Sequence, residues 1–494
     1  MVCLLNIIKC IEKCNINGKK RLEKCNFYYY NRLEKCNKCV ILHLVMIMLY
    51  RKSYEDIKQW YYNSEKALLV DGARQVGKTT LIRNFFNDNS IPFVEINLHD
   101  NQTALDAFNT SKDSKELLVK IIALSDKNVE DGMTFFIDEI QEASDAITPI
   151  KFLVSNSNYK FVFSGSLLGV KMKNIQSIGV GYINIHKMYP MDFEEFAIAN
   201  GVSKKIIDYL EKCFKNKEIV DSTVHEQMMK LFNLYLIVGG MPDAVNEYVT
   251  THNLRKVSDA HIVVDQGYLA DITKYDHEEK LLIEDIYNLI PSELNQQNKR
   301  MILKSLNEKA RFYQYEDSFV WLLNSGVGLF TYNVDNPKYP LLASKERTLF
   351  KLFLCDVGLL STKLLNGNQI KILNGEVNLN FGAIYENVVA QELTAHGYNL
   401  FFSNNKKRGE IDFLIEEESE IIPIEVKSGK DYKRHSALNN LIEDFNVKKA
   451  YILNNDNICI KNERIYLPIY MIMFLKKNNQ IEDQIVIPDI SSLQ

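Results

Sequence analysis

Residues 71–80 read DGARQVGKTT, a glycine-rich stretch that closes with Gly-Lys-Thr. An apolar run at 67–70 comes directly before it, and apolar residues recur with helical spacing at 81–86. Strand, glycine-rich turn and helix together form the context in which backbone N–H groups and a helix N-terminus bind phosphate. The alternative is a glycine-rich βα turn with a chance lysine, and the flanking strand and helix argue against it. The stretch therefore predicts a phosphate-binding loop.

The residues of this loop have separate predicted roles. The Lys78 ammonium would reach the β- and γ-phosphates of a nucleotide, and the Thr79 hydroxyl would ligate Mg²⁺. The predicted cofactor is therefore ATP with Mg²⁺. The predicted nucleotide-binding residues are Gly72, Ala73, Arg74, Gln75, Val76, Gly77, Lys78, Thr79 and Thr80.

Polar residues follow two later apolar strands. Asp138 and Glu139 come directly after the buried run 133–137, and Ser164 follows the run 161–163. Carboxyl ends of parallel strands face the ligand crevice, so these side chains should lie near Lys78. Asp138 would hold Mg²⁺, Glu139 would act as general base, and Ser164 would orient the attacking water. The alternatives are a solvated strand end for the two acids and a plain Ser-Gly turn for Ser164.

The 494-residue chain is 46% hydrophobic and 25% charged, with a net charge of -4. Such a composition is typical of a globular protein, and it gives no global basic field that would require a nucleic-acid partner. Strands alternate with helices over 48–200, which predicts a parallel sheet with helices on both faces. A helical lid is expected at 201–280.

These motifs occur together with YPMDFEEF at 189–196 and GGMP at 239–242. With them the chain resembles prokaryotic AAA-type ATPases that have a C-terminal domain of unknown function with a nuclease-like core. The resemblance covers about residue 48 to the end. It implies an ATPase core in which an additional strand separates the strands of the phosphate-binding loop and of Asp138. Relatives have a Gly-Arg pair where this chain has Gly181-Tyr182, so an arginine finger is not expected there, and Arg74 is an untested substitute.

Residues 281–365 suggest a winged helix. The pattern predicts helices at 281–290, ended by Pro291, at 298–310 and at 313–324, followed by strands at 326–332 and 348–354. The exposed face of the third helix is not basic, although five cations precede it. Two interpretations remain open, a DNA reader and a spacer or protein-contact module. The five cations are Lys299, Arg300, Lys304, Lys309 and Arg311.

Residues 366–494 carry a second set of acids. Glu386 lies on a helix that we expect to be amphipathic, Asp412 lies on a strand, and Glu425 and Lys427 share one face of another strand. This spacing resembles the restriction-endonuclease-like core. Glu386, Asp412 and Glu425 would then ligate Mg²⁺, and Lys427 would position or deprotonate the attacking water. A non-catalytic module that only binds nucleic acid or protein is the alternative.

The N-terminal residues 1–47 look unlike the rest. They repeat EKCN every eleven residues and hold six of the nine cysteines, which we expect to be reduced thiols. We interpret them as a tail without a core, either unstructured or spurious. The run 40–49 is too short to span a bilayer. A cytoplasmic protein without a membrane partner is expected, and DNA, a second copy of the chain and another protein remain candidate partners.

The fold class that follows is α/β. The expected domains are a tail at 1–47, a P-loop ATPase core at 48–200, a helical lid at 201–280, a winged helix at 281–365 and a restriction-endonuclease-like α/β domain at 366–494.

Overall fold

The computed structural model describes residues 49–125, 128–143, 153–154, 158–166, 181–273, 277–306, 311–365, 367–369, 381–428 and 435–477. They belong to one compact unit that begins at Leu49. The predicted tail at 1–47 lies outside the described residues.

The first half of the chain contains a parallel sheet of order β2-β3-β4-β1-β5. All neighbouring strands are parallel. β4 separates β1 from β3, as the resemblance implied. The elements are α1 (Ser53–Asn63), β1 (Ala67–Asp71), α2 (Lys78–Asp88), β2 (Phe93–Asn97), α3 (Gln102–Thr110), α4 (Ser114–Ala123), β3 (Thr134–Asp138), β4 (Lys160–Gly165) and β5 (Ile183–Lys187).

Both faces of this sheet are covered because its apolar residues alternate between them. Leu68 and Val70 point into a core shared with α1 and α2. Ala67 and Leu69 point into a second core shared with α3 and α4. The expected P-loop ATPase core, a parallel sheet with helices on both faces, is therefore present. β5 was not predicted from sequence, because its residues are only half-buried and two of its five are His186 and Lys187.

A run of helices follows the sheet. The Gly239-Gly240 pair separates two of them, since α7 (Ser222–Val238) ends directly before Gly239 and α8 (Pro242–Thr251) begins at Pro242. The helices are α5 (Phe193–Ala199), α6 (Lys204–Asn216), α7 (Ser222–Val238), α8 (Pro242–Thr251), α9 (Leu254–Ile272) and α10 (His277–Asn295).

Two details of the winged-helix prediction are wrong. α10 continues through Pro291, where we expected a stop. Proline removes one helical hydrogen bond, and the fully buried Ile290 and Leu294 on either side hold the helix in place by packing. Within the described part of 298–310, the expected helix is only a 3₁₀ turn, Leu303–Ser305. The third helix is confirmed as α11 (Phe312–Asn324).

The two expected wing strands are β6 (Gly328–Val334) and β7 (Lys345–Leu354), and they pair antiparallel. β6 also pairs with β8, so the hairpin joins a mixed eight-stranded sheet of order β12-β13-β11-β10-β9-β8-β6-β7. The sheet thus runs across residue 365. The remaining elements are α12 (Val357–Leu365), α13 (Phe381–Ala395), β8 (Phe401–Asn405), β9 (Gly409–Glu417), β10 (Glu420–Val426), α14 (Ser436–Phe445), β11 (Ala450–Asn454), β12 (Cys459–Lys461) and β13 (Arg464–Pro468).

α13 is buried on all sides from Ala383 to Leu393, so the expectation of an amphipathic helix is wrong. A helix that is enclosed by neighbours on every face is a core element rather than a surface helix. Its polar residues Glu386, Asn387, Gln391 and Glu392 therefore contact protein rather than solvent.

Within the described part of the chain, no helix is both long and apolar enough to cross a membrane.

Candidate active site

The loop at 71–80 connects β1 to α2, with Gly77 as the N-cap residue of the helix. Gly77 has φ +92°, a left-handed conformation that glycine adopts without steric cost. Gly72 is required for a different reason. A Cβ on Gly72 would lie 2.1 Å from the carbonyl oxygen of Met188, which follows β5. The two glycines therefore let the loop turn tightly against the neighbouring backbone.

Lys78 lies inside this loop and is 7% exposed. Its Nζ donates to the carbonyl oxygens of Gly72, at 2.9 Å, and Ala73, at 2.8 Å. Burial lowers the pKa of Lys78, and the nearby Glu139 carboxylate opposes that shift. Its ammonium thus makes hydrogen bonds to neutral carbonyls. A charged phosphate oxygen that replaced these acceptors would form a stronger hydrogen bond.

Three side chains converge on Asp138 at the carboxyl ends of β2, β3 and β4. Thr79 Oγ1 donates to both carboxylate oxygens, at 3.2 and 3.1 Å. Asn97 Nδ2 donates to Oδ2 at 3.1 Å, and the Ser164 hydroxyl donates to Oδ1. Hydroxyl and carboxylate oxygens are the hard ligands that Mg²⁺ prefers, so Thr79 and Asp138 fit the predicted metal.

Glu139 lies next to this cluster with a left-handed backbone, φ +57°. Gln141 donates its side-chain N–H to Oε2 of Glu139. Ser164 contacts Asp138 rather than Glu139, so the structure brings Ser164 to the metal-side carboxylate. The buried Oε1 of Gln141 has no hydrogen-bond partner among the described residues.

Sequence reasoning missed Asn97, Gln141 and Arg51. Asn97 ends β2, and Gln141 lies in the turn that follows β3. Both are therefore close to the predicted carboxylates, and this position was the available signal. Arg51 had no local signal, because its partners lie far away in sequence. It is 8% exposed and donates to the carbonyl oxygens of Val76, at 2.8 Å, and Tyr189, at 2.6 Å.

Arg74 contacts one of the helices that follow the sheet. Its guanidinium forms an ion pair of 2.8 Å with Asp271 on α9. Tyr268 on the same helix donates to the Arg74 carbonyl oxygen at 3.4 Å. The loop is therefore attached to α9 at a point close to the nucleotide-binding residues.

The acids predicted in the C-terminal sheet have close cationic neighbours. Glu386 is buried and accepts from Lys299 and, at 3.1 Å, from Lys351. Lys351 is fully buried and also contacts Glu410 at 2.7 Å. Burial acts to raise the pKa of Glu386, but the Lys351 and Lys299 ammonium groups outweigh it and lower this pKa below its usual value.

Asp412 and Glu425 have different environments. Asp412 accepts the Val426 N–H at 2.8 Å, and burial, then the Glu386 carboxylate, raise its pKa to about 7. Glu425 lies 3.1 Å from the Lys427 ammonium and 2.8 Å from His435 Nδ1. Lys427, the residue directly after β10, thus lies beside Glu425, as the alternation predicted.

The three predicted metal ligands of this region do not form a compact group. Among the described residues, Glu386, Asp412 and Glu425 are not a set whose potential ligand atoms all lie within 4.8 Å of one another. Lys406 and Lys407 are exposed, and Arg408 contacts Asp444 at 3.5 Å. Asp412 and Glu425 thus lie on neighbouring strands, with Lys427 beside Glu425. Lys299 and Lys351 neutralise the charge of Glu386 on α13.

Comparison with protein families identifies three regions of the chain. Residues 64–197 match the family model described as an AAA domain. Residues 229–369 and 381–472 match two further models, each described as a domain of unknown function. The AAA match covers the sheet and the loop described above, and it supports an AAA-type P-loop core. A search of curated proteins finds no match to this chain.

Similar solved structures include a Walker-type ATPase of Pyrococcus abyssi and the ORC1 protein of Aeropyrum pernix in complex with DNA. The first is 13% identical, with a TM-score of 0.40, and covers 63% of this chain and 95% of its own. The second is 12% identical, with a TM-score of 0.27, and covers 66% of this chain and 95% of its own. Likeness at this level carries no conclusion about ligands or partners.

Proposed function

We propose that this chain is a Mg²⁺-dependent ATPase whose nucleotide state controls a C-terminal module that binds or processes DNA. The observation that carries the ATPase part is the contact between Thr79 and Asp138, made next to the buried Lys78 ammonium. It places a hydroxyl, a carboxylate and a cation at one edge of a parallel sheet, where nucleotides bind.

The residues divide the work as follows. Lys78 and the loop N–H groups bind the β- and γ-phosphates, while Thr79 and Asp138 hold Mg²⁺. When bound by Thr79 and Asp138, Mg²⁺ would supply positive charge that offsets the negative charge developing on the phosphates. Glu139 accepts the proton of the attacking water, and Gln141 holds its carboxylate in position. Ser164 fixes Asp138 through its hydroxyl.

Arg74 supports a route from the nucleotide to the helices. Its ion pair with Asp271 and the Tyr268 contact attach α9 to the loop. A change in loop conformation on binding or hydrolysis would move this attachment. The helices 201–280 then act as the lid that transmits the nucleotide state to the C-terminal sheet. An arginine finger, if the reaction uses one, comes from a second copy or another protein.

The C-terminal module supports the second part of the proposal. Asp412 on β9, Glu425 on β10, Lys427 directly after β10 and Glu386 on α13 are the residues whose spacing resembles a restriction-endonuclease-like core. Asp412 and Glu425 would hold Mg²⁺, Glu386 would be an auxiliary ligand, and Lys427 would act on the attacking water. Lys406 and Lys407 are exposed at the end of β8 and would contact the DNA backbone.

A second candidate function is a regulatory ATPase switch with a non-catalytic recognition module. The ion pairs of Glu386 with Lys299 and Lys351 favour it, because a half-buried and a fully buried ammonium group already neutralise the helix carboxylate. In this case the module would bind DNA or a protein partner without cleaving anything.

ATP hydrolysis and DNA cleavage are measured separately to distinguish these functions. Phosphate release is followed with and without duplex, nicked and branched DNA, and Mg²⁺-dependent cleavage is followed on the same substrates. Cleavage that is lost in Asp412→Ala and Glu425→Ala supports the nuclease, and cleavage that survives both refutes this site. Salt-dependent DNA binding without cleavage supports the recognition module. No DNA binding at low salt with ATP would refute a DNA partner.

A further inference from the structure

A cluster of side chains of metal-binding types lies where the start of α5 meets the end of α13, and it shares no residue with the two sites above. Asp192 is the N-cap residue of α5, and its Oδ1 accepts the Glu195 N–H at 2.9 Å. Glu392 lies on α13, and His396 follows one turn later. All three side chains are buried, and one potential ligand atom from each lies within 4.8 Å of the others.

The ring of His396 is oriented for ligation. Its Nδ1 lies 2.9 Å from the carbonyl oxygen of Leu475, and a carbonyl can only accept a hydrogen bond. Nδ1 therefore holds the ring proton, and the lone pair of a neutral imidazole lies on Nε2. Nε2 lies 3.2 Å from Asp192 Oδ2 and 3.8 Å from Glu392 Oε2. A lone pair that faces two carboxylates requires a proton or a metal cation between them.

Glu392 supplies an independent sign of a missing ligand. Its Oε1 accepts from the Phe193 N–H, at 2.9 Å, and from the Tyr235 hydroxyl, at 3.0 Å. Its Oε2 has no hydrogen-bond partner among the described residues, and the side chain is 0% exposed. An unpaired buried carboxylate oxygen is costly unless a cation is bound there.

Lys52 is the nearest competing cation. Its ammonium contacts Asp192 Oδ2 and lies 2.7 Å from Glu194 Oε2, and the side chain is 27% exposed. It thus approaches Asp192 from the solvent side and has Glu194 as a second partner. These contacts leave Glu392 Oε2 without a hydrogen bond.

We propose that Asp192, Glu392 and His396 form a binding site for a divalent transition-metal ion such as Zn²⁺, Mn²⁺ or Co²⁺. One imidazole nitrogen and two carboxylate oxygens are a ligand set of these ions. The Leu475 carbonyl is the outer partner that fixes a ligating histidine. The ion would join the start of α5 to α13, and so attach the AAA core to the C-terminal sheet. The argument for this site does not rest on ATP binding at Lys78.

Co²⁺ is a suitable probe because its visible absorption reports histidine and carboxylate ligands, whereas thiolate binding adds charge-transfer absorption. That difference matters because the chain has nine cysteines. The full-length chain is titrated with Co²⁺ without nucleotide. We expect one equivalent that is lost in His396→Gln and Glu392→Gln and kept in His225→Gln. His225 is a matched control, because its ring contacts Tyr470 and Asn455 instead.

The stability of the chain gives a second readout. We expect a chelator to lower the Tm of the wild-type and His225→Gln chains and to leave that of His396→Gln unchanged. Lys52→Met keeps all three ligands and removes the competing ammonium, so it should bind Co²⁺ more tightly. Co²⁺ absorption that is absent, or equal in wild-type and His396→Gln chains, overturns the proposal. Unchanged or weaker Co²⁺ binding by Lys52→Met also overturns it.

Discussion

At the scale of single residues, the candidate ATPase site follows from where side chains leave the ends of strands. Thr79, Asp138 and Ser164 are far apart in sequence, yet parallel strands bring them to one edge of the sheet. Their convergence could therefore be predicted. Arg51 could not, because its partners Val76, Tyr189 and Glu195 belong to three other segments. No local pattern specifies such long-range contacts.

Glu139→Gln tests the general base. We expect ATP binding to remain and hydrolysis to fall by about 10²–10⁴-fold, since the amide cannot accept the proton. Phosphate release and nucleotide affinity are measured on the same preparation. Glu142→Gln is the control, because that acid follows three residues later in the same turn. Hydrolysis at the wild-type rate by Glu139→Gln would remove its proposed role.

Asp412→Asn tests the raised pKa of a buried acid. The pKa of Asp412 rises from 3.8 to about 7 in the folded chain. The folded state therefore holds an extra proton in this window, and its stability falls as pH rises from 3.8 to about 7. We expect Asp412→Asn to remove this loss, so that its Tm exceeds that of the wild type at pH 8 but not at pH 4. Equal differences at both pH values would contradict the shift.

At the scale of elements, strand and helix type were predictable where apolar runs were long. β1, β3, β4 and α11 lie where the pattern placed them. β5 was missed because an edge strand with polar residues has no apolar run. The predicted helix end at Pro291 is wrong because tertiary packing around Ile290 offsets the one hydrogen bond that proline removes. α13 was predicted to be amphipathic because its polar residues, which are buried in the structure, have the same sequence pattern as a solvent-exposed helix face.

The turn between α7 and α8 packs closely against the backbone of Met191. A Cβ on Gly240 would lie 1.9 Å from the carbonyl oxygen of Met191. The Gly240 N–H donates to Asp356 Oδ2 at 2.6 Å, so the turn cannot move away without losing this bond. We expect Gly240→Ala to cost about 1–3 kcal/mol of unfolding free energy, measured by denaturant titration.

Gly267→Ala is the matched control for this substitution. Gly267 lies within α9, and its added Cβ would lie 3.7 Å from the Arg74 side chain, an ordinary contact distance. Alanine also favours the helix by roughly 1 kcal/mol over glycine. The control should therefore be neutral or slightly stabilising. Equal destabilisation by both substitutions would contradict the packing argument.

At the scale of the whole molecule, the AAA core and the C-terminal sheet are joined by buried polar contacts. Tyr235 on α7 donates to Glu392 on α13, and the Phe193 N–H at the start of α5 donates to the same carboxylate. The sequence indicated the two sites but not this connection, since none of the contacts is local. α13 also holds Glu386, so one helix contacts the core at one end and the C-terminal acids at the other. This arrangement is suited to transmitting a nucleotide state between the two sites.

The most direct test of the account is ATP turnover by Lys78→Ala. Lys78 is the cation within the loop, and we propose that it binds the β- and γ-phosphates. Lys66→Ala is the matched control, because Lys66 is an exposed lysine just before β1. We expect Lys66→Ala to hydrolyse ATP at the wild-type rate and Lys78→Ala to lose at least about 100-fold in turnover. Wild-type binding and hydrolysis of ATP by Lys78→Ala would contradict the account.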